Sequence, residues 1–384
     1  MRHPDLEPSF EGRSSSAGTR TPYLVVLTSS NQLYSGTGTS LFEWLRYSMH
    51  RFEYTLLIDS AESRNYRIAK DFCREQGFGF LPSGPAPREG APDHGVAEAQ
   101  RHVLSGRWPV IEMVSWANTS TNMDVLAAVR PPTALIFTPH TQPAWTLPEA
   151  EAFTLLEGVF DAGLRQADLV CCISPAEVGV LRQRVPNCRT AYLPHGINRR
   201  RFCPGLESRS RQVLMVADFR EHRKRAELAF AAMERLAISM PEMDFVLAGR
   251  NSDTVAVPDC LKGRIRRLGF VADDQLIELY QTSAMLLLLS DFEAFGLPIA
   301  EALACGLPVV TTRTNEVASL FQHLPGCFLV RNTDPCEVDR GIEAALFRAP
   351  PADEIAAATH AAFDPDRVLA HKMQRIEALL AARA

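Results

Sequence analysis

Ser290-Asp-Phe-Glu-Ala-Phe-Gly-Leu-Pro-Ile-Ala-Glu-Ala-Leu-Ala-Cys-Gly-Leu-Pro-Val-Val-Thr-Thr312 is the stretch of this 384-residue chain that decides its fold. It predicts a loop, a helix and a strand, in that order. Pro298 suits the first turn of a helix, and Gly306 suits the residue just past the end of one. Residues 308–312 then have the unbroken apolar character of a short buried strand.

The two glutamates in this stretch, Glu293 and Glu301, are separated by seven residues. We expect Glu293 on the loop and Glu301 about one turn into the helix, where its side chain leans back toward the loop. Both acceptors then face the same space as the amides of Phe295, Gly296 and Leu297. Carboxylates that accept from hydroxyls, beside amides that donate to oxygens, suit a sugar, and a phosphate nearby would make the ligand a nucleotide-sugar.

The stretch resembles the retaining glycosyltransferases of the GT-B fold, family 4, because the glutamate spacing, Phe-Gly-Leu-Pro and Ala-x-Gly-x-Pro-Val occur together. The resemblance implies that Glu293 holds hydroxyls of the donor sugar and that Glu301 binds the nucleotide ribose. It implies a nucleoside-diphosphate sugar as co-substrate, with no separate cofactor. Spacing alone would favour an ordinary helix with one exposed and one capping glutamate, before a buried strand.

Short buried strands alternate with helical runs along both halves of the chain. This alternation predicts an α/β protein with two Rossmann-like doubly wound domains. The resemblance implies that the two domains face each other across a cleft, as in GT-B proteins. The predicted strands are 23–27, 54–58, 110–114, 134–138, 167–173, 190–193, 213–216, 245–248, 265–268, 285–289 and 308–312.

The domain boundaries follow from shifts in composition. Residues 1–21 are polar and lack the apolar centre of a signal peptide, which predicts a disordered tail. Pro204 and Gly205 lie in a polar, basic segment and mark the boundary between an acceptor domain, 22–204, and a donor domain, 205–363. Residues 364–384 form a last helix, which the resemblance implies crosses back to the first domain. Residues 79–95, rich in proline and glycine, are predicted to form a long loop.

Bulk composition excludes several classes of protein. A net charge of -5 gives no sign of a nucleic-acid partner. The nine cysteines are scattered without a Cys-x-x-Cys pair, which disfavours structural zinc and fits a reducing cytoplasm. No apolar run is long enough for a membrane span, although peripheral contact with a membrane is left open.

The basic run Arg220-Glu-His-Arg-Lys-Arg225 follows a predicted strand and could neutralise a diphosphate. The resemblance implies that Lys224 is the lysine that holds the diphosphate and stabilises the departing nucleotide by electrostatics. Ala217-Asp218 stands where the family usually has Gly-Arg. We therefore expect Arg220 to replace that arginine, with Arg223 as the second candidate; a solvated basic turn is the alternative.

Ser35 to Thr39 is a second candidate phosphate site. Gly36 and Gly38 are predicted to lie in a loop ahead of a helix, where backbone amides could approach phosphate oxygens. A plain strand-to-helix turn fits the same residues. The third glycine of the dinucleotide fingerprint is absent, which argues against an NAD enzyme.

Further site residues rest mainly on the resemblance. It places His140 near the donor sugar and Arg250 near the nucleotide, and backbone contacts from Phe270 and Val271 in the base pocket. His195 is interpreted as a turn residue. For each of these positions, ordinary loop or core chemistry is the alternative.

The chain's one Asp-x-Asp, at Asp364 and Asp366, precedes a helical run. Capping of that helix explains it better than metal binding, so we predict no catalytic metal. No residue stands out as a covalent nucleophile. The resemblance implies same-face attack, with the leaving phosphate taking the acceptor's proton.

The sequence therefore favours a retaining glycosyltransferase. A nucleotide-sugar epimerase of the same fold and a catalytically silent sugar-nucleotide-binding relative are the alternatives. The donor base and the oligomeric state are not indicated, and the acceptor remains a glycan, a lipid or a small metabolite.

Overall fold

The computed structural model describes residues 20–27, 36–58, 63–82, 102–103, 108–114, 119–140, 153–206 and 209–383. The chain divides into two compact units. Unit 1 comprises Met1–Cys172, Leu181–Ala191 and Leu369–Ala384, and unit 2 comprises Ile173–Val180 and Tyr192–Val368.

Unit 1 is built on a seven-stranded sheet in the order β3-β2-β1-β4-β5-β6-β7, in which the pairs from β3 to β6 are parallel. Its central strands are continuous apolar runs because helices cover both faces of a parallel sheet. The strands are β1 (Thr21–Leu27), β2 (Phe52–Ile58), β3 (Gly79–Pro82), β4 (Val110–Val114), β5 (Ala134–Thr138), β6 (Leu169–Cys172) and β7 (Thr190–Tyr192).

Unit 2 contains a six-stranded, all-parallel sheet in the order β10-β9-β8-β11-β12-β13. Strand order reverses between β8 and β11, which are neighbours at the centre of the sheet. The strands are β8 (Gln212–Val216), β9 (Asp244–Ala248), β10 (Ile265–Arg267), β11 (Met285–Leu288), β12 (Val309–Thr312) and β13 (Cys327–Val330).

Helices connect the strands of both units. They are α1 (Gly36–Ser48), α2 (Ser63–Gln76), α3 (Thr119–Ala128), α4 (Phe153–Gln166), α5 (Pro175–Arg184), α6 (Ala226–Ser239), α7 (Asp273–Thr282), α8 (Leu297–Ala304), α9 (Asn315–Phe321), α10 (Pro335–Phe347), α11 (Ala352–Ala362) and α12 (Pro365–Ala381).

The deciding stretch folds as its sequence indicates. α8 runs from Leu297 to Ala304, and β12 follows. Gly306 has a φ of 70°, and a Cβ at this position would lie 2.6 Å from the carbonyl oxygen of Ala352. Only glycine therefore fits between this helix and the strand.

The structure corrects four sequence predictions. Thr21 begins β1 and is not part of a tail; residues 1–19 lie outside the described residues. The predicted loop at 79–95 begins with β3, because Phe80 and Leu81 pair with β2. Gly36 and Gly38 lie in the first turn of α1, where amides have no intrahelical acceptor and glycine is tolerated. Residues 173–180 and 192–204, predicted for the first domain, lie in unit 2.

Residues 369–384 belong to unit 1, and Lys372 of α12 joins them to its sheet. Lys372 Nζ donates to Glu112 Oε1 in β4 at 2.7 Å. The same carboxylate accepts from Tyr23 Oη at 2.7 Å and from Thr138 Oγ1 at 2.6 Å. Burial alone would raise the pKa of Glu112, but Lys372 and these hydrogen bonds outweigh it and lower that pKa.

In the part of the chain that the structure describes, no helix is long and apolar enough to cross a bilayer. The nine cysteines all lie in that part and are free thiols. Asp364 Oδ1 accepts from the amide of Asp366 at 2.9 Å, so this carboxylate caps the start of α12, as predicted.

Candidate functional site in unit 2

Two loops of unit 2 carry the charged residues predicted to bind a donor. One follows β8 and leads to Lys224, and the other follows β11 and includes Glu293. Both loops leave the carboxyl ends of the strands where strand order reverses. Open α/β sheets bind their ligands at this kind of switch point. The topology thus brings the predicted lysine and the first predicted glutamate to the same edge of the sheet.

Lys224 and Glu293 form a buried ion pair. Lys224 Nζ donates to Glu293 Oε1 at 2.7 Å, and the two side chains are only 10% and 7% exposed. Ser290 Oγ donates to the same oxygen at 2.7 Å. Each charge therefore has a partner in a place where an unpaired charge would be strongly unfavourable.

Arg223, rather than Arg220, comes next to this pair. Arg223 Nη1 donates to the carbonyl oxygen of Phe292 at 2.9 Å and lies 3.7 Å from Glu293 Oε2. A 3₁₀ helix, His222–Lys224, turns Arg223 toward the β11 loop. The side chain of Arg220, in the turn before that helix, is exposed.

Asp218 explains what the departure at Ala217-Asp218 does to the β8 loop. Asp218 Oδ1 accepts from the amide of Arg220 at 3.1 Å and from Asn251 Nδ2 at 2.9 Å. Aspartate side chains commonly accept from the amide two residues further on, and this contact shapes the turn at Asp218. The contact with Asn251 joins the turn to the loop after β9.

Glu301, near the middle of α8, is held by a buried tyrosine. Tyr280 Oη donates to Glu301 Oε2 at 3.0 Å. Burial and the nearby carboxylate raise the pKa of Tyr280 well above its ordinary value, so the hydroxyl is a donor at neutral pH. The second predicted glutamate thus has its orientation set by α7.

The loop between the two glutamates is anchored by aromatic packing. The buried Phe295 ring lies edge-on to His195 at 4.7 Å and to Phe363 at 5.3 Å between ring centroids. Gly296 begins α8 with a φ of 82°, and a Cβ there would lie 2.8 Å from Ile299 Cδ1. The side chain of Phe295 therefore belongs to the core, so any contact of Phe295 with a ligand would come from its backbone.

Three other predicted residues follow β9 and β10. Arg250 accepts through its carbonyl oxygen from the amide of Phe219 at 3.0 Å, which places it beside the β8 loop. Its side chain is exposed. The Phe270 side chain is 67% exposed, whereas Val271 packs in the core of unit 2.

Three predicted site residues lie in unit 1. Gly36 and Gly38 are in the first turn of α1, after β1. His140 follows β5 with a φ of 60°. Burial of the imidazole, and to a lesser degree the Lys372 ammonium, lower the pKa of His140 to about 3. Its ring is therefore neutral at pH 7, so one ring nitrogen can donate a hydrogen bond and the other can accept one.

Sequence reasoning missed the two hydroxyls that hold the glutamates. Ser290 lies three residues before Glu293, close enough in a loop for its hydroxyl to reach the glutamate carboxylate. Tyr280 lies on the buried face of α7, and a buried tyrosine hydroxyl needs a partner. Both signals were present in the sequence.

Residues 197–359, which include Lys224, Glu293 and Glu301, match the protein-family model described as Glycosyl transferases group 1. The chain is 27% identical over 161 residues to the phosphatidylinositol N-acetylglucosaminyltransferase gpi3 subunit of Schizosaccharomyces pombe, covering 40% of this chain and 35% of that protein. It is 24% identical over 184 residues to the N-acetyl-alpha-D-glucosaminyl L-malate synthase of Bacillus anthracis, covering 44% and 47%. These matches span about a third to a half of each relative.

Solved structures resemble the chain over most of its length. Sucrose-phosphate synthase from Thermosynechococcus elongatus superposes with a TM-score of 0.74 at 18% identity, covering 94% of this chain and 100% of that one. Anabaena Alr3699/HepE in complex with UDP-glucose gives 0.70 at 17% identity, with coverage of 94% and 100%. The likeness shows the GT-B type of α/β fold with two parallel sheets, and it confirms the predicted fold class.

Proposed function

We propose that this chain is a retaining glycosyltransferase of family 4, which transfers a sugar from a nucleoside-diphosphate sugar to an acceptor hydroxyl. The observation that supports it most is the buried Lys224–Glu293 pair at the switch point of unit 2. The pair lies within the range that matches the family model. An ordinary surface turn would not need a lysine and a glutamate buried together.

The proposed chemistry is an exchange of partners. In the free protein the Lys224 ammonium and the Glu293 carboxylate satisfy each other. A bound donor presents an anionic diphosphate to the ammonium and sugar hydroxyls to the carboxylate. Both groups then keep a partner, and the ammonium lies where charge develops on the leaving phosphate.

Arginines supply the remaining positive charge. Arg223 lies closest to the pair, and Arg220 projects from the turn before it. We assign Arg223 the diphosphate role first and Arg220 second, which reverses their order from the sequence. Glu301, oriented by Tyr280, is assigned to the nucleotide ribose.

The mechanism proposed here needs neither a covalent nucleophile nor a metal ion. The leaving phosphate takes the acceptor's proton, and the new bond forms on the face from which the diphosphate departs. Lys224 and Arg223 carry the counter-charge that a divalent ion provides in other transferases. We therefore expect turnover to be unchanged by EDTA; a loss that Mg²⁺ or Mn²⁺ restores would contradict this part of the proposal.

The experiment that tests the function is release of nucleoside diphosphate from a panel of nucleotide-sugars. UDP-glucose and N-acetylglucosamine donors come first, because a solved relative holds UDP-glucose and several relatives are named for N-acetylglucosamine. Inositol phosphate and phosphatidylinositol are tested as acceptors, after the names of relatives. Glu293→Gln is compared with Glu354→Gln, a matched change at an exposed glutamate of α11.

Release from one donor by the wild type and by Glu354→Gln, but not by Glu293→Gln, is the expected result. Conversion of the donor to its epimer without transfer would favour the epimerase. A thermal shift with a donor but no release would favour the silent relative, and neither a shift nor release from any donor would overturn nucleotide-sugar binding.

A further inference from the structure

A second ion pair joins the two loops that carry Lys224 and Glu293. Arg225 Nη1 donates to both carboxylate oxygens of Asp291, at 3.0 and 2.9 Å. Asn332 Nδ2 donates to Asp291 Oδ1 at 2.9 Å and to the carbonyl oxygen of Leu289 at 3.2 Å. Arg225 follows Lys224 directly, and Asp291 lies two residues before Glu293. Arg225, Asp291 and Asn332 are referred to below as the clasp.

The backbone runs alongside the same contact. The amide of Asp291 donates to the carbonyl oxygen of Arg223 at 2.8 Å, and Arg223 Nη1 donates back to Phe292. The β8 and β11 loops are therefore joined at successive positions, from the clasp to the buried Lys224–Glu293 pair.

Arg225 holds an unusual backbone conformation at this point. Its φ of 48° and ψ of 49° are left-handed, which is unfavourable for a residue with a Cβ. This conformation lies between the 3₁₀ helix and α6, so it sets the angle between α6 and the turn that carries Lys224. Such strain persists only where surrounding contacts over-determine it, and it clusters at functional sites.

We propose that Arg225 and Asp291 are positioning residues, which hold the β8 and β11 loops together so that Lys224 meets Glu293 and the donor diphosphate in one fixed geometry. The inference rests on the proposed function. Both side chains are substantially exposed, at 32% and 45%. Exposed ion pairs add little to global stability, so the clasp acts on the local geometry of the loops.

The chain offers a matched control. Arg235 binds Asp339 in the same two-oxygen manner, at 2.9–3.0 Å, with exposures of 37% and 45%. This pair joins α6 to α10. Asp291→Ala and Asp339→Ala therefore remove equivalent exposed carboxylates, only one of which belongs to the clasp.

The test measures two things on the full chain: the kinetics of turnover and the rates of amide hydrogen exchange. Asp291→Ala should lower kcat three- to tenfold and speed amide exchange in residues 219–225 and 290–294, with donor KM changed less than twofold. Asp339→Ala should leave all three unchanged. Arg225→Gly should match Asp291→Ala, because glycine adopts the left-handed conformation freely. It also removes the exposed contact of Arg225 Nε with Glu227, which does not join the two loops. The kcat of the Arg225→Gly/Asp291→Ala double variant should be no lower than that of either single variant.

Equal kcat and equal loop exchange in Asp291→Ala and Asp339→Ala would overturn the inference. A wild type that releases no nucleoside diphosphate would instead refute the proposed function. In that case loop exchange alone decides: faster exchange in Asp291→Ala supports the clasp as what holds the loops, and unchanged exchange refutes it.

Discussion

The two units each contain a buried lysine–glutamate pair, and the pairs differ in what surrounds them. In both, the lysine Nζ lies 2.7 Å from a glutamate Oε1. Glu112 lies within a central strand. Its carboxylate accepts hydrogen bonds from the hydroxyls of Tyr23 and Thr138 as well as from Lys372. Glu293 lies on a loop. Among the residues that the structure describes, two donors contact its Oε1, and Arg223 lies 3.7 Å from its Oε2.

The difference teaches how one chemical pair serves two purposes. Glu112 is enclosed by the sheet and α12, so its partners cannot be exchanged without opening unit 1. Glu293 is held by loops at the edge of a sheet, so a ligand could take over either partner. We interpret the first pair as structural and the second as functional, and the predictions below test that contrast.

The largest effect is expected for Lys372→Met. It leaves the buried Glu112 carboxylate without its cation, which should lower the free energy of unfolding by about 3–5 kcal/mol. Urea unfolding at pH 7 measures it. Because the pKa of Glu112 is lowered in the folded state, its stabilising contribution is present above the unfolded pKa and is lost as the pH falls through the folded pKa. The difference between variant and wild type should shrink accordingly in acid.

The double variant Glu112→Gln/Lys372→Met is the control for this first prediction. It removes both charges, so most of the lost stability should return. A Lys372→Met protein within about 1 kcal/mol of the wild type would contradict a structural role for this pair.

The next largest effect is on activity. Lys224→Ala removes the ammonium aimed at the leaving phosphate and should reduce kcat by about 10²–10³-fold. Its effect on unfolding should be smaller than that of Lys372→Met, because the β11 loop can admit water to Glu293. Lys262→Ala, at an exposed lysine, is the control and should retain turnover. Normal rates in Lys224→Ala would remove this lysine from the mechanism.

A buried glutamate without a lysine sharpens the contrast. The amide of Ile173 donates to Glu177 Oε2 at 2.7 Å. Burial, reinforced by the charge of Glu316, raises the pKa of Glu177 to about 7. Between about pH 4.5 and 7 the folded chain then binds a proton that the unfolded chain has lost, so this residue makes the protein less stable as the pH rises.

Glu177→Gln should therefore stabilise the protein at pH 8, by as much as about 3 kcal/mol, and change little at pH 4. Urea titrations at both pH values measure the difference. Equal stability of variant and wild type at pH 8 would show that burial does not raise the pKa of Glu177 in the folded protein.

The smallest effect is expected for Tyr280→Phe. Loss of the hydrogen bond to Glu301 should weaken donor binding by about 0.5–1.5 kcal/mol, or roughly two- to tenfold in KM. Tyr54→Phe removes a buried hydroxyl that is hydrogen-bonded to Ser48 in unit 1, and it should leave donor KM unchanged. Equal KM values in the two variants would argue against orientation of Glu301 by Tyr280.

Most of the fold was predictable because the buried strands of a parallel sheet have continuous apolar sequences. Val110–Val114 and Ala134–Thr138 were predicted with the bounds that the structure has. The short edge strand β3 was missed, because its glycine and proline resemble those of a loop. Gly36 and Gly38 misled for a related reason, since the first turn of a helix tolerates glycine.

The placement of the candidate site residues in the fold was predictable where local motifs determine position and not where distant contacts do. Glu293, Glu301 and Lys224 stand out by their spacing and flanking residues. The preference for Arg220 over Arg223 rested on the missing arginine of the family's Gly-Arg, whereas in the structure the 3₁₀ helix turns Arg223 toward Glu293. The pairing of Lys224 with Glu293 spans 69 positions and leaves no local signature.

The distance along the chain between Glu112 and Lys372, 260 positions, has a consequence for biosynthesis. During translation the sheet of unit 1 emerges first, yet the lysine that neutralises its buried carboxylate emerges after all six strands of unit 2. The last residue of unit 2 is Val368. We therefore expect it to fold on the ribosome before unit 1 is complete, so that the domain synthesised first is finished last.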